Sequence, residues 1–337
     1  EPLKLGHNTM TAGGVGRGLF YDCPLEEVFI GRNLNYQALP VVGDSPFCGR
    51  TKLTSVVISE GVTVLNDQIF RGCSGLTFIT IPESVTEIGD GAFADCSNLR
   101  SVTIPSDVTS IGNSAFSGCS SFSDITIPAS VTSIGNNAFD GCVNLNKVVF
   151  ENGSEPLDLG YGGEGKVDLL NSRLLCEGLF RDCPVETLYM GRNVEYEIQR
   201  GNYYATETCS PFYNQANLSS VVIGDKVSLI WKWLFYGCTG ITSITSKAEI
   251  PPAITDDSTF YGVDKSIPVY VPAASLDDYK AAEYWKDFFN ILPIKRETIV
   301  DGEDFEHGQD ELFDEITYTR TFNNTNWQAL YVPFEIP

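Results

Sequence analysis

Leu99-Arg100-Ser101-Val102-Thr103-Ile104-Pro105-Ser106-Asp107-Val108-Thr109-Ser110-Ile111-Gly112-Asn113-Ser114-Ala115-Phe116-Ser117-Gly118-Cys119 is one copy of a unit that recurs along the chain. Steps of 23 residues from Cys119 land on Cys73, Cys96 and Cys142, and each of these cysteines follows a phenylalanine by three: Phe70, Phe93, Phe116 and Phe139. The other apolar positions keep the same period, as Leu76, Leu99, Phe122 and Leu145, then Ile81, Ile104, Ile127 and Phe150, then Val62, Val85, Val108 and Val131. A period in the twenties denotes stacked coils rather than globular domains, so the 337 residues predict a solenoid. Within the unit, Ser101 to Ile104 alternates polar and apolar, the pattern of a half-buried strand. Pro105-Ser106-Asp107 turns the chain, because proline cannot continue a ladder. Val108 and Ile111 point back inside, Gly112 permits a tight bend, and Ala115 to Cys119 is long enough for one helical turn. Burial comes only from stacking, since a single coil has no neighbour to cover its faces.

A cysteine at one register of every coil stacks into a ladder with neighbours about 5 Å apart. Buried reduced thiols are expected there, since free cysteine behaves as a small hydrophobe; distance also permits disulfides, but identical rotamers down a stack disfavour the required dihedral. Cys176, Cys183 and Cys209 fall outside the regular stretch and are the stronger candidates for a bridge.

Outward from Leu53–Phe150 the beat weakens and a larger repetition replaces it. Leu19-Phe20-Tyr21-Asp22-Cys23-Pro24 to Asn33 already holds the unit, after a glycine-rich entry; Leu179-Phe180-Arg181-Asp182-Cys183-Pro184 to Asn193 echoes it nearly position for position. Glu155 to Gly160 echoes Glu1 to Gly6, and Ser210-Pro211-Phe212 echoes Ser45-Pro46-Phe47, so blocks of several coils are duplicated. Insertions at Asn35–Ser45 and Glu195–Ser210 stretch the spacing. After a degenerate copy at Thr259-Phe260-Tyr261-Gly262, Val269 to Pro272 gives a last strand and Ala274 to Asp287 a helix with Ser275 as N-cap, read as the C-terminal cap of the stack. The predicted domains are a solenoid with its cap over 1–295, an acidic linker over 296–314, and over 315–337 the hairpin-like start of a further β domain.

The net charge of −22, from 44 acidic against 22 basic residues, repels nucleic acid and anionic lipid. No run of 18 apolar residues predicts a membrane-spanning helix. The chain begins at Glu1 without a basic and apolar leader, so an export signal is expected to be cleaved or to lie outside it. Catalytic constellations do not emerge: His7 and His307 are remote in sequence, and Gly160-Tyr161-Gly162-Gly163-Glu164-Gly165 fits a phosphate-loop pattern only formally, with an acid where phosphate would sit. No enzyme activity, metal or cofactor is predicted.

Binding is the better-supported reading. Strand residues between the buried ones face outward and are mostly Ser and Thr; the exceptions Phe29, Phe78 and Tyr189, with Asp124 and Lys147, are candidate contacts. Tyr36, Tyr196, Tyr203 and Tyr204, in or beside the insertions, are candidates because binding residues concentrate in loops on rigid scaffolds. Each ring has the plain alternative of being covered by a neighbouring segment. Trp231 and Trp233 alternate with Lys232, as an edge patch or partly as core.

The unit Leu-x-x-Val-x-Ile-Pro-x-x-Val-x-x-Ile-Gly-x-x-Ala-Phe-x-x-Cys, as it stands in Leu99–Cys119, resembles the BspA-like leucine-rich repeat family of bacterial cell-surface proteins over roughly residues 19 to 293. The resemblance implies a mostly β, α/β solenoid: a right-handed superhelix of about ten coils with irregular insertions, a C-terminal cap and a short β segment. It also implies an exported, extracellular or lipid-anchored adhesin-like protein. The partner would be a protein or glycan at a cell surface or in extracellular matrix. The alternative is a spacer that presents a downstream domain and has no ligand of its own.

Overall fold

The computed structural model describes residues 20, 23–36, 45–160, 178–180, 182–196 and 210–294 with their side chains. Residues 3–4, 162–168, 173–177, 295–300 and 313–319 are described as backbone. The chain divides into two compact units, Glu1–Leu292 and Pro293–Pro337.

The first unit is the expected solenoid. Each coil contributes one strand to a front sheet, from Glu27–Ile30 and Ser55–Ile58 through Phe78–Thr80, Ser101–Thr103, Asp124–Ile127 and Lys147–Phe150 to Thr187–Met190, Ser220–Ile223, Ser243–Ser246 and Pro268–Val271. Pairing is parallel and in register, so Asp124 lies beside Lys147 and Lys147 beside Thr187. A back sheet of two- and three-residue strands, Val64–Leu65, Glu87–Ile88, Ser110–Ile111, Ser133–Ile134, Leu157–Leu159 and Val194–Glu195, runs parallel behind it. The glycine after the back strand is obligatory: a Cβ on Gly112 would stand 2.6 Å from the Asp90 backbone nitrogen.

Ten spine phenylalanines, Phe20, Phe47, Phe70, Phe93, Phe116, Phe139, Phe180, Phe212, Phe235 and Phe260, stack ring on ring with centroids 5.0–6.4 Å apart. The segment carrying them is a series of turns rather than the expected helical turn. Beside the rings run the thiols. Cys96, Cys119 and Cys142 each donate from Sγ to the carbonyl of the phenylalanine one coil back, at 3.1, 3.2 and 3.2 Å. Cys73 and Cys238 do the same, and burial pushes both thiols up to about 12. Cys183, expected among the bridge candidates, instead continues this ladder by donating to the Phe139 carbonyl. Where a coil lacks the cysteine, Arg50 donates to the Phe20 carbonyl and Gln215 to the Phe180 carbonyl. In these coils the register holds a hydrogen-bond donor; in the coil of Phe260 it holds the buried Val263 instead.

The stack ends on Trp285 and Phe288, which meet Phe260 at 5.8 and 5.3 Å. The expected cap helix is shorter than predicted: Leu276–Ala281 is α-helical, flanked by 3-10 turns at Ala273–Ser275 and Trp285–Asp287. Tyr284, at a φ of 65°, breaks the run so that Trp285 can be buried. Ser275 does not cap the helix; its hydroxyl donates to the Glu249 carbonyl of an earlier coil.

In the second unit, Lys295–Val300 pairs in parallel with Phe313–Thr319. A strand therefore occupies the first residues of the span expected to be an acidic linker. The second strand of the expected hairpin lies outside the described residues.

Candidate functional site

The front sheet exposes two columns of side chains. In one, Phe29 lies directly beside Val57. In the other, the 23-residue period sets Phe78 next to Ser55 and in register with Ser101. Phe29, Val57 and Phe78 are 71%, 54% and 69% exposed, so each of the first three front strands described presents one exposed apolar side chain. Alternation dictates this: Val28, Ile30, Ile58 and Ile79 take the inward positions, which leaves 29, 57 and 78 outward. The Phe29 ring lies over Gly31, where a Cβ would come within 3.0 Å of it, so the glycine lets the ring lie flat on the sheet. Val57 escaped the sequence reading, which singled out aromatics; its register beside Phe29 was the available signal.

Farther along, the same columns turn polar. Ser101, Thr103 and Thr126 are exposed, and Asp124 and Lys147, both exposed, stand opposite one another. Beyond them Val149, Tyr189 and Val222 are consecutive neighbours, all half-buried. The Tyr189 hydroxyl donates to Asn152 Oδ1 at 2.7 Å, which draws the ring onto the sheet.

The insertion tyrosines behave differently from a loop contact. Tyr36 is half-buried and packs on the core, its hydroxyl donating to the Asp67 carbonyl at 2.8 Å. Tyr196 is 7% exposed and donates to the Lys232 carbonyl. Both follow a back-sheet strand at the inward parity of Leu34 and Val194, so their rings fill the wall and only their hydroxyls reach the next coil. These two rings are therefore not part of an exposed surface. Burial pushes both phenols above their usual range. Tyr203 and Tyr204 lie outside the described residues.

The groups that could do chemistry are placed for structure. The ladder thiols are buried, with pKa raised by desolvation at Cys96 and Cys119; a thiol held neutral is a poor nucleophile. Among the described residues no group of His, Cys, Asp and Glu could hold a metal ion, and no helix is long and apolar enough to cross a membrane. The arrangement of the front sheet, a rigid face with one apolar end, suits recognition.

Comparison with known proteins agrees with this architecture. A family model described as "BspA type Leucine rich repeat region" matches six copies over residues 41–158 and 208–280, more than half of the chain. No curated protein matches it. Among solved structures, a leucine-rich repeat protein from Bacteroides ovatus is 17% identical, with 94% of this chain and 98% of that one covered, at a TM-score of 0.37. The leucine-rich repeat protein of T. pallidum is 19% identical over 83% of this chain and 93% of its own, at 0.34. A leucine rich cell surface protein from Faecalibacterium prausnitzii is 20% identical over 87% of each chain, at 0.32. On its repeats, its fold and the family model that spans them, the chain belongs to the BspA type leucine-rich repeat family.

Proposed function

We propose that this chain is a non-enzymatic surface binding module that docks a protein partner on the N-terminal end of its front sheet. The observation that carries the reading is the exposed Phe29, Val57 and Phe78 at the N-terminal end of a front sheet whose next strands, Ser101–Thr103 and Asp124–Ile127, present only polar side chains outward. Exposed apolar patches on soluble proteins mark interaction sites, and large rings at their centre dominate the binding energy. The family supports an extracellular or outer-surface location, since the resemblance is to bacterial surface proteins. Asp124 and Lys147 would form the polar rim of the contact and Tyr189 its far boundary.

The test is an array of immobilised extracellular-matrix and bacterial surface proteins probed with the wild type and with the F29A/F78A double variant. Both rings are exposed, so the variant should unfold at the wild-type urea midpoint. It should lose about 30-fold or more in affinity for whichever protein the wild type captures, as truncating two interface rings predicts. Equal capture by the two proteins would remove the front sheet as the docking face. That result would favour the spacer reading, to which the Ser and Thr face of the middle coils is suited.

A further inference from the structure

Coils near the C-terminal end carry a second aromatic surface. Immediately after the spine phenylalanine the regular coils place Arg71, Ala94, Ser117 and Asp140; here the residues are Tyr213, Tyr236 and Tyr261. Their rings form their own stack outside the spine, with centroids 5.2 and 4.8 Å apart and interplanar angles of 7° and 16°. Tyr213 and Tyr236 are half-buried. Tyr261 ends the stack at 62% exposed, and its only ring contact among the described residues is with Tyr236.

Stacking alone could explain three tyrosines, but it does not explain the turn that carries the middle ring. Trp233 sits at a φ of 66°, in the register where the regular coils place Gln68, Gly91, Ser114 and Asn137 at φ values of 56°, 59°, 53° and 58°. A bulky residue in this left-handed region is disfavoured by about 1–2 kcal/mol, and strain of this kind gathers at functional sites. Nor does Trp233 gain a core place in return, since its side chain is half-exposed with the Lys232 ammonium 4.5 Å from the ring centre. Two residues earlier, the Trp231 Nε1 atom is buried without a hydrogen-bond partner among the described residues, an orphan donor of the sort native proteins rarely keep. The turn is tied to both neighbouring rings: the Tyr236 amide donates to the Trp233 carbonyl at 3.0 Å, and Thr259 Oγ1, two residues before Tyr261, donates to the Trp231 carbonyl at 3.1 Å.

We propose that this corner, independently of the front sheet, is a subsite for a neutral glycan. A pyranose offers a flat C–H face, which stacks on the open face of Tyr261, and a rim of hydroxyls, which the phenol and the exposed Asp257 carboxylate four residues before it can meet. Tyr261 is 62% exposed at the end of its stack, so it offers a flat ring face rather than a pocket that would bury a protein side chain. The chain's −22 charge disfavours sulfated or sialylated glycans.

Isothermal titration calorimetry with cellohexaose, mannohexaose and chitohexaose as probes tests this, with tryptophan fluorescence followed in parallel. At least one hexaose should bind and shift the emission of Trp231 and Trp233. Tyr261→Ala should weaken that binding about tenfold while Tyr261→Phe, which keeps the ring, retains most of it. Trp233→Gly restores a residue suited to the backbone, so it should keep the unfolding midpoint or raise it while reducing affinity. The proposal is overturned if none of the three sugars binds at millimolar concentration, or if Tyr261→Ala and Trp233→Gly bind as the wild type does.

Discussion

The two copies of the duplicated block, residues 19–58 and 179–223, share a sequence and part ways in environment. Phe29 lies open on the front sheet, whereas Tyr189 at the matching position is half-buried and tethered to Asn152. Arg32 is an exposed cation; Arg192, its counterpart, has no exposed surface. The Arg192 guanidinium reaches the carbonyls of Pro128, Ala129 and Val131 at 2.7, 2.9 and 2.7 Å, passing against Gly153. Room for it exists because the corner between Phe150 and Leu159 is two residues longer than the corner between Ile127 and Ile134. In a stacked fold a residue's role is set as much by the coil before it as by its own sequence.

The sharpest way to break this comparison is to truncate both arginines. Arg192→Ala removes the guanidinium donor from three carbonyls, of which Pro128 keeps the Val131 amide, and leaves a void at the corner, and should cost about 3–5 kcal/mol in urea unfolding. Arg32→Ala should stay within about 0.5 kcal/mol of wild type, as exposed substitutions do. Equal losses would mean that the two copies are energetically the same and that the extra corner residues are incidental. Burial lowers the Arg192 pKa from its usual value, yet an arginine stays charged across the working pH range, so this difference should not depend on pH.

A smaller effect tests what the copies have in common. Arg50 and Gln215 occupy one position in the two blocks, and both donate to a spine phenylalanine carbonyl as the cysteines do elsewhere. Gln215→Ala and Cys119→Ala should each lose about 1–2 kcal/mol, the consequence of leaving a buried carbonyl with one donor fewer. Gln215→Cys should recover part of the loss. If the alanine variants differ little from wild type while Gln215→Cys destabilises, packing volume rather than donation governs the register.

The period of 23, the spine phenylalanines and the strand faces were legible because stacking makes every coil solve the same burial problem, and the solution is written in apolar spacing. The outward parity of Phe29 and Phe78 followed from the same alternation. What could not be read depended on neighbours in space. Cys183 looked irregular because an insertion separates it from Cys142, although the coil brings it to the same ladder. Tyr36 and Tyr196 looked like loop rings because they fall within the inserted stretches, although the parity of Leu34 and Val194 already pointed them inward. Arg192 carried no signal, since an identical arginine in the other copy is exposed. The strained Trp233 was likewise invisible, because φ is not in the composition of a turn.

The finest test concerns the pair that the two copies keep alike. Tyr36 and Tyr196 each hold a neutral phenol whose pKa burial raises above the usual value of 10.0, and each donates to a carbonyl in a later coil. The unfolded chain ionises these two phenols near pH 10, whereas the folded chain holds them neutral to higher pH. Each pair of states therefore contributes stability that is complete below pH 10 and declines as pH rises above it. Tyr36→Phe and Tyr196→Phe remove the ionisable group along with one hydrogen bond, so each should lose about 1 kcal/mol at pH 7 and show a shallower alkaline decline than wild type. Denaturant midpoints measured from pH 7 to 11 read both effects. A Tyr196→Phe curve parallel to wild type at every pH would place the phenol in water and detach the second copy's back wall from the coil of Lys232.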